Sequence, residues 1–246
     1  MKIALKNWKL AGYHPWVPLQ GASMETGYIS PGVTGVFDAV VPGSIYADLL
    51  RAGAIEDPYY EMNSLKCEWV ANRWWVYRTE FEVPAEKKGS RVRLIFKGID
   101  DRCLIYVNNK FLCEHEGMYE PVVLDITDIA KFGEEKNAVK VILKSAQDEM
   151  GQIGHTSMTY TQKARFTYKW DFCTRLVGMG IWNDVLVDIT GAGVIEDFTS
   201  GAALEDLLFL NPAVLLQKDE IDTMFNVIKM AKDANAEGLL GKLLTI

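Results

Sequence analysis

The sequence predicts a mainly β fold: a sandwich or barrel of short strands, one short inserted helix and an amphipathic helix near the C-terminus. Three observations carry that reading. Segments in which apolar residues recur at every second position dominate the first half of the chain. Turn-forming residues punctuate those runs at short intervals, and helical periodicity surfaces in two places.

The first helical stretch is Ser44–Ala52, where Ile45, Leu49 and Ala52 share a face, Ser44 offers an N-cap and Gly53 a C′ residue. Trp74–Val83 then alternates, with Trp75, Tyr77, Phe81 and Val83 on one face and Arg78, Glu80 and Glu82 on the other. Pro84, which cannot donate to a ladder, ends it. Arg91–Lys97 repeats the pattern, with Val92, Leu94 and Phe96 inward, and Gly98 breaks it. Cys103–His115 reads as a hairpin turning at Asn108–Asn109, because asparagine tolerates the left-handed backbone of a tight turn. Further strands are expected at Val122–Ile126, Ala138–Lys144, Phe166–Trp170 and Asp184–Thr190. The second helical stretch, Lys218–Ala234, places Ile221, Met224, Phe225, Ile228 and Ala231 on one face, acids first and lysines last, as the helix dipole favours.

Of the 246 residues 49% are apolar, enough for a packed core and too many for a disordered chain. No run of about eighteen apolar residues marks a membrane span, and a net charge of −7 argues against a nucleic-acid footprint. The opening MKIALKNWKLAGYHPW lacks the apolar stretch and small-residue cleavage site of a secretory signal. Cys67, Cys103, Cys113 and Cys173 have no metal-ligand spacing; Cys103 and Cys113 could face each other across the hairpin, but buried thiols in a reducing cytoplasm are the plainer expectation. Trp74, Trp75, Tyr77 and Trp182 are expected in the core, Asp100 and Asp101 on backbone amides, and His115 and His155 in structural roles. Gly151–Gly154 and Gly178–Gly180 do not sit in the strand-to-helix setting of a phosphate cradle. No metal and no cofactor is expected.

Three blocks resemble the N-terminal domain of β-mannosidase-like glycoside hydrolases of family 2. They are VPGSIYADLLRAGAIEDPYYEMNSLKCEWVANRWWVYRTEFEVP (Val41–Pro84), LIFKGIDDRCLIYVNNKFLCEHEGMYEPVVLDIT (Leu94–Thr127) and TQKARFTYKWDFCTRLVGMGIWNDVLVDITG (Thr161–Gly191), in the family's order. Departures are Gln162 where arginine is usual, Phe172 for a tryptophan, and Cys173–Thr174 for a Gly-Pro pair. The resemblance implies a jelly-roll-like, galactose-binding-type β-sandwich over residues 1–192, followed by a linker and helical tail, 193–246. In complete enzymes an immunoglobulin-like domain and a TIM barrel follow, and the barrel's two glutamates hydrolyse the glycosidic bond with retention. The resemblance also implies that Trp170 and Asp171 contact the terminal sugar, that Arg175 braces their loop and that Lys163 lies nearby.

No Asn in the chain is followed by Glu, the acid/base signature of that barrel, and too few residues follow Gly191 for a barrel of roughly 200 or more. The expectation is therefore a non-catalytic, truncated sugar-binding domain, facing a β-mannoside-type sugar and working with no nucleic acid or membrane. Two alternatives stay open. One is a free-standing carbohydrate-binding or adaptor protein that self-associates through its tail helix; the other is a chain that docks onto a separately encoded barrel.

Overall fold

The computed structural model describes residues 1–14, 34–147, 161–169, 171 and 173–191. The expected tail helix and His155 lie outside these, as does Trp170. The described strands are β1 (Lys2–Ala4), β2 (Trp8–Tyr13), β3 (Phe37–Ala39), β4 (Trp74–Phe81), β5 (Arg91–Phe96), β6 (Arg102–Val107), β7 (Lys110–Glu116), β8 (Val122–Asp125), β9 (Asn137–Leu143) and β10 (Val185–Thr190). They form two antiparallel sheets, one ordered β1-β10-β5-β8 and the other β3-β2-β4-β9-β6-β7. The inward faces of both contribute to one core.

Alternation builds that core. From β4, Trp75 and Tyr77 are wholly buried; Trp8 of β2 stands edge-on to Tyr77 at 6.2 Å, and Trp75 packs on Trp69 at 6.0 Å. From the other sheet come Val92, Leu94 and Phe96 of β5 and Val185, Val187 and Ile189 of β10. The buried indole N–H groups each find a carbonyl: Trp8 donates to Leu5 at 2.9 Å and Trp75 to Val70 at 2.9 Å. Trp74 points to the opposite face of β4 and is half-buried beside Val76, Leu104 and Ile142, so it belongs to a small outer cluster rather than the core expected for it.

The β6–β7 hairpin turns at Asn108 (φ 49°) and Asn109 (φ 63°), both left-handed, as two-residue turns require. Asn108 is also a strut: its amide donates to Ile129 O at 2.8 Å and to Asn137 Oδ1 at 2.9 Å. Register pairs Cys103 with His115 and Ile105 with Cys113, so the two cysteines are not cross-strand partners; all four are free thiols.

The inserted helix α1 (Ile45–Arg51) starts at Ser44, whose Oγ accepts from Ala47 N at 3.3 Å, and ends before Gly53 at φ 67°. Ile45 and Leu49 anchor it in the core; Ala52 is exposed at its cap. A second, single-turn helix α2 (Asn63–Lys66) leads into a 3-10 turn at Glu68–Asn72, which the alternation-based reading missed. The strand expected at Phe166–Trp170 is instead a 3-10 turn, Phe166–Tyr168, closed by Tyr168 N donating to Arg165 O at 3.0 Å. The strands β1, β2 and β3 escaped the sequence reading too: β1 and β3 have three residues each, and Leu10, Ala11 and Gly12 of β2 break the alternation. Among the described residues, no helix is long and apolar enough to cross a membrane.

Leu94 is fully buried, whereas Val123 on the adjoining strand β8 is 53% exposed. Leu94→Ala is expected to cost about 2–5 kcal/mol and Val123→Ala less than about 1 kcal/mol. Urea unfolding followed by tryptophan fluorescence measures both.

Candidate functional site

At one end of the sandwich, loops from distant parts of the chain are stitched together. The β5–β6 loop (Gly98–Asp101) and the segment Val177–Asn183 run side by side: Asp100 N donates to Gly180 O at 2.8 Å and Gly180 N to Asp100 O at 3.2 Å. The entry to α1 joins from the other side, with Gly43 N donating to Ile181 O at 2.9 Å and Ile45 N to Met179 O at 3.0 Å. The β7–β8 loop adds Met118, whose N–H donates to Gln162 O at 3.0 Å and whose carbonyl accepts from Trp182 Nε1 at 2.9 Å.

Two glycines permit this close approach. A Cβ on Gly98 would lie 2.5 Å from the Trp182 ring, so the indole rests directly on the glycine backbone. Trp182 is thus 39% exposed and covers the loop from outside, instead of entering the core as expected. Gly180 has φ 146°, and a Cβ there would meet Ser44 Cα at 3.0 Å.

Lys163 pins the assembly. Its ammonium, 1% exposed, donates to Asp100 Oδ1 and, at 2.6 Å, to Gly178 O, joining the 161–169 segment to both neighbouring loops. Asp100 therefore bonds a buried lysine, not the backbone amides expected for it. Asp101 is 2% exposed, and among the described residues neither of its carboxylate oxygens has a side-chain hydrogen-bond partner. Burial pushes the Asp100 carboxyl up to about 6 against the opposing pull of Lys163, with Asp101 adding to the rise. Burial likewise raises Asp101, opposed by Lys163 and Arg102.

From this pinned base the segment emerges to solvent. Asp171 is exposed at a turn, and Leu176 N donates to Thr167 O at 3.1 Å, closing the loop that carries it. Arg175 reaches back to Glu68 of the 3-10 turn, NH1 to Oε1 3.7 Å. Both partners are partly solvated, so this contact is worth about 0–1 kcal/mol and mainly orients the loop. Of the four residues singled out from sequence, Lys163 is sealed inside as the pin, Asp171 is open to solvent, Arg175 lies between, and Trp170 is outside the described residues. The Asp100–Lys163 pair and the Gly98–Trp182 stack had no local signal; each joins residues more than sixty positions apart. Among the described residues the arrangement exposes the carboxylate of Asp171 and, in part, that of Glu68, and buries those of Asp100 and Asp101. An exposed carboxylate of this kind can accept hydrogen bonds from hydroxyl groups. Among the described residues no cluster of His, Cys, Asp and Glu could hold a metal ion.

A two-sheet antiparallel sandwich of this kind is the architecture of a galactose-binding-like module. The sequence profile described as "Glycosyl hydrolase 2 galactose-binding domain-like" matches residues 22–183, and the chain belongs to that family. Its curated relatives include β-mannosidases. That of Mus musculus is 30% identical over 170 residues, covering 61% of this chain and 19% of the relative. β-Mannosidase B of Emericella nidulans is 26% identical, covering 68% and 21%. The chain spans about a fifth of the length of these curated relatives. Among solved structures, β-D-mannosidase from Dictyoglomus thermophilum superposes with TM-score 0.63 at 24% identity, over 78% of this chain and 23% of that one. At that identity the likeness is one of fold.

The raised Asp100 carboxyl gives a pH signature. The folded state holds this proton more tightly than the unfolded state, so its stabilising contribution is complete below about 3.8 and is lost as pH rises through about 6. Lys163→Met strands the carboxylate and is expected to cost about 3–5 kcal/mol above that window, and markedly less at pH 4–5, where Asp100 is protonated. Denaturant titrations of wild type and variant across pH 4–8 test this.

Proposed function

We propose that this chain is the sugar-facing, non-catalytic module of a β-mannosidase-like glycoside hydrolase, reading a β-mannoside-type sugar through Asp171 and Trp170. The observation that carries the reading is the exposed Asp171 carboxylate on a loop braced by Arg175 and rooted on the buried Lys163–Asp100 pair. A carboxylate accepts two vicinal hydroxyls in charge-assisted bonds, and an adjoining tryptophan offers an apolar face to the ring. Lys163 and Arg175 act as positioning residues. The family membership and the β-mannosidase relatives support the sugar class.

Hydrolysis is assigned elsewhere. Retaining hydrolysis takes two open carboxyls about 5–5.5 Å apart, and the described loop end exposes Asp171 while burying Asp100 and Asp101. A catalytic barrel, in the same or a separate polypeptide, is the partner that this face would complete. The free thiols fit a cytoplasmic setting.

Isothermal titration of the chain with mannose and β-1,4-mannobiose, beside Asp171→Ala, tests the reading. Saturable binding is expected for the wild type, weakened about tenfold or more in the variant, with no turnover of aryl β-mannosides. Turnover abolished by replacing an acid of this chain would sink the non-catalytic assignment. Sugar binding indifferent to Asp171→Ala would sink the site.

A further inference from the structure

The outer face of the six-stranded sheet carries an unexpected charge pattern towards the end away from the loop cluster. Pairing places one residue of each strand in a single cross-strand row: Asp38, Lys9, Arg78, Lys140, Tyr106 and Phe111. Three cations therefore stand directly opposite one another on β2, β4 and β9, about 4.8 Å apart from strand to strand. Like charges so placed repel, and sheets normally avoid the arrangement. The chain as a whole carries a net charge of −7, so the row is not a sample of a generally basic surface.

The neighbours leave most of this charge uncompensated. Lys9 is paired with Asp38 at 2.5 Å. Lys140 lies over the Tyr106 ring, 4.6 Å from its centroid, a contact that shelters the cation without neutralising it. Arg78 is exposed and has no acidic partner within ion-pair distance among the described residues. Glu80, two residues along on the same face, is held by Lys136 at 3.6 Å. Burial, and then the facing Arg78, lower the Lys140 ammonium from the usual lysine range. The three cations of the row, Lys9, Arg78 and Lys140, line an open groove of about 610 Å³ together with Lys136 and the acid Glu80.

We propose that this groove is an anion-binding site for a phosphate group, free or esterified to a small molecule, with Arg78 and Lys140 as its principal ligands. The surplus in the row is the two charges of Arg78 and Lys140, because Lys9 is answered by Asp38. A phosphate monoester, at close to two negative charges, cancels that surplus, whereas a single carboxylate leaves half of it. The Arg78 guanidinium presents a planar fork suited to two oxygens of one phosphate, and the flanking ammonium reaches a third. The groove is separate from the loops around Asp171, so the two sites succeed or fail independently.

The test is titration of the full chain at low ionic strength with inorganic phosphate, a hexose 6-phosphate and the free hexose. Saturable phosphate binding is expected, weakened about tenfold or more by Arg78→Glu and by Lys140→Gln. It should be unchanged by Lys66→Gln, which alters an exposed lysine paired with Glu56 elsewhere. Affinity is also expected to fall as salt is added. Tighter binding of the hexose 6-phosphate assigns the source as a phosphorylated sugar; equal affinity assigns it as free phosphate. No saturable binding of either phosphate at millimolar concentration overturns the proposal. So does binding undiminished in both variants, each shown to be folded by circular dichroism.

Discussion

A lysine ammonium sealed inside a protein must have its donors filled, and Lys163 fills them from two different loops. Asp100 supplies a carboxylate from the β5–β6 loop and Gly178 a carbonyl from the segment leading to β10. Neither charge tolerates the loss of the other in that setting. The pair therefore holds three stretches of chain in one arrangement, and the backbone bridge between Asp100 and Gly180 completes the clamp. Everything that the loop end displays, Asp171 foremost, is displayed from that clamp.

The same physics is used differently on the two outer faces. On the four-stranded sheet, Arg93 of β5 stands opposite Asp188 of β10, and their side chains meet at 2.8 Å, almost fully buried. Opposite charges facing each other across strands stabilise the ladder. On the six-stranded sheet, Lys9, Arg78 and Lys140 face one another, and among the described residues the acid opposite the row is Asp38. The first arrangement explains itself as structure. The second costs stability, and a ligand carrying negative charge relieves that cost.

The sandwich and its loop end are held together by different kinds of contact. The core, from Trp8 and Trp75 to Phe96 and Val187, is closed and apolar. The loop end is polar and held by few but strong contacts, and Trp182 seals it from outside by resting on Gly98. A family enzyme can thus change what its loop end reads without repacking its core.

The strands from β4 to β10 were legible in the sequence because alternation is a local property: each residue's face follows from its neighbour's. The Ser44 cap, the Gly53 terminus and the Asn108–Asn109 turn were legible for the same reason, since each is a backbone need met by one or two residues. The motif blocks also carried the family. What escaped were elements without a period, such as β1 and β3, and every feature that joins remote positions. Trp182 looked like core because it follows the strand periodicity, and only the folded chain shows that Gly98 gives it a seat on the surface. Asp100 looked like a turn residue until Lys163 arrived from sixty-three positions away. The row of cations exists only once the register sets Lys9 beside Arg78 and Arg78 beside Lys140. Local pattern determined which residues turn inward; pairing across the sheets and between loops, a matter of tertiary geometry, decided which charges meet.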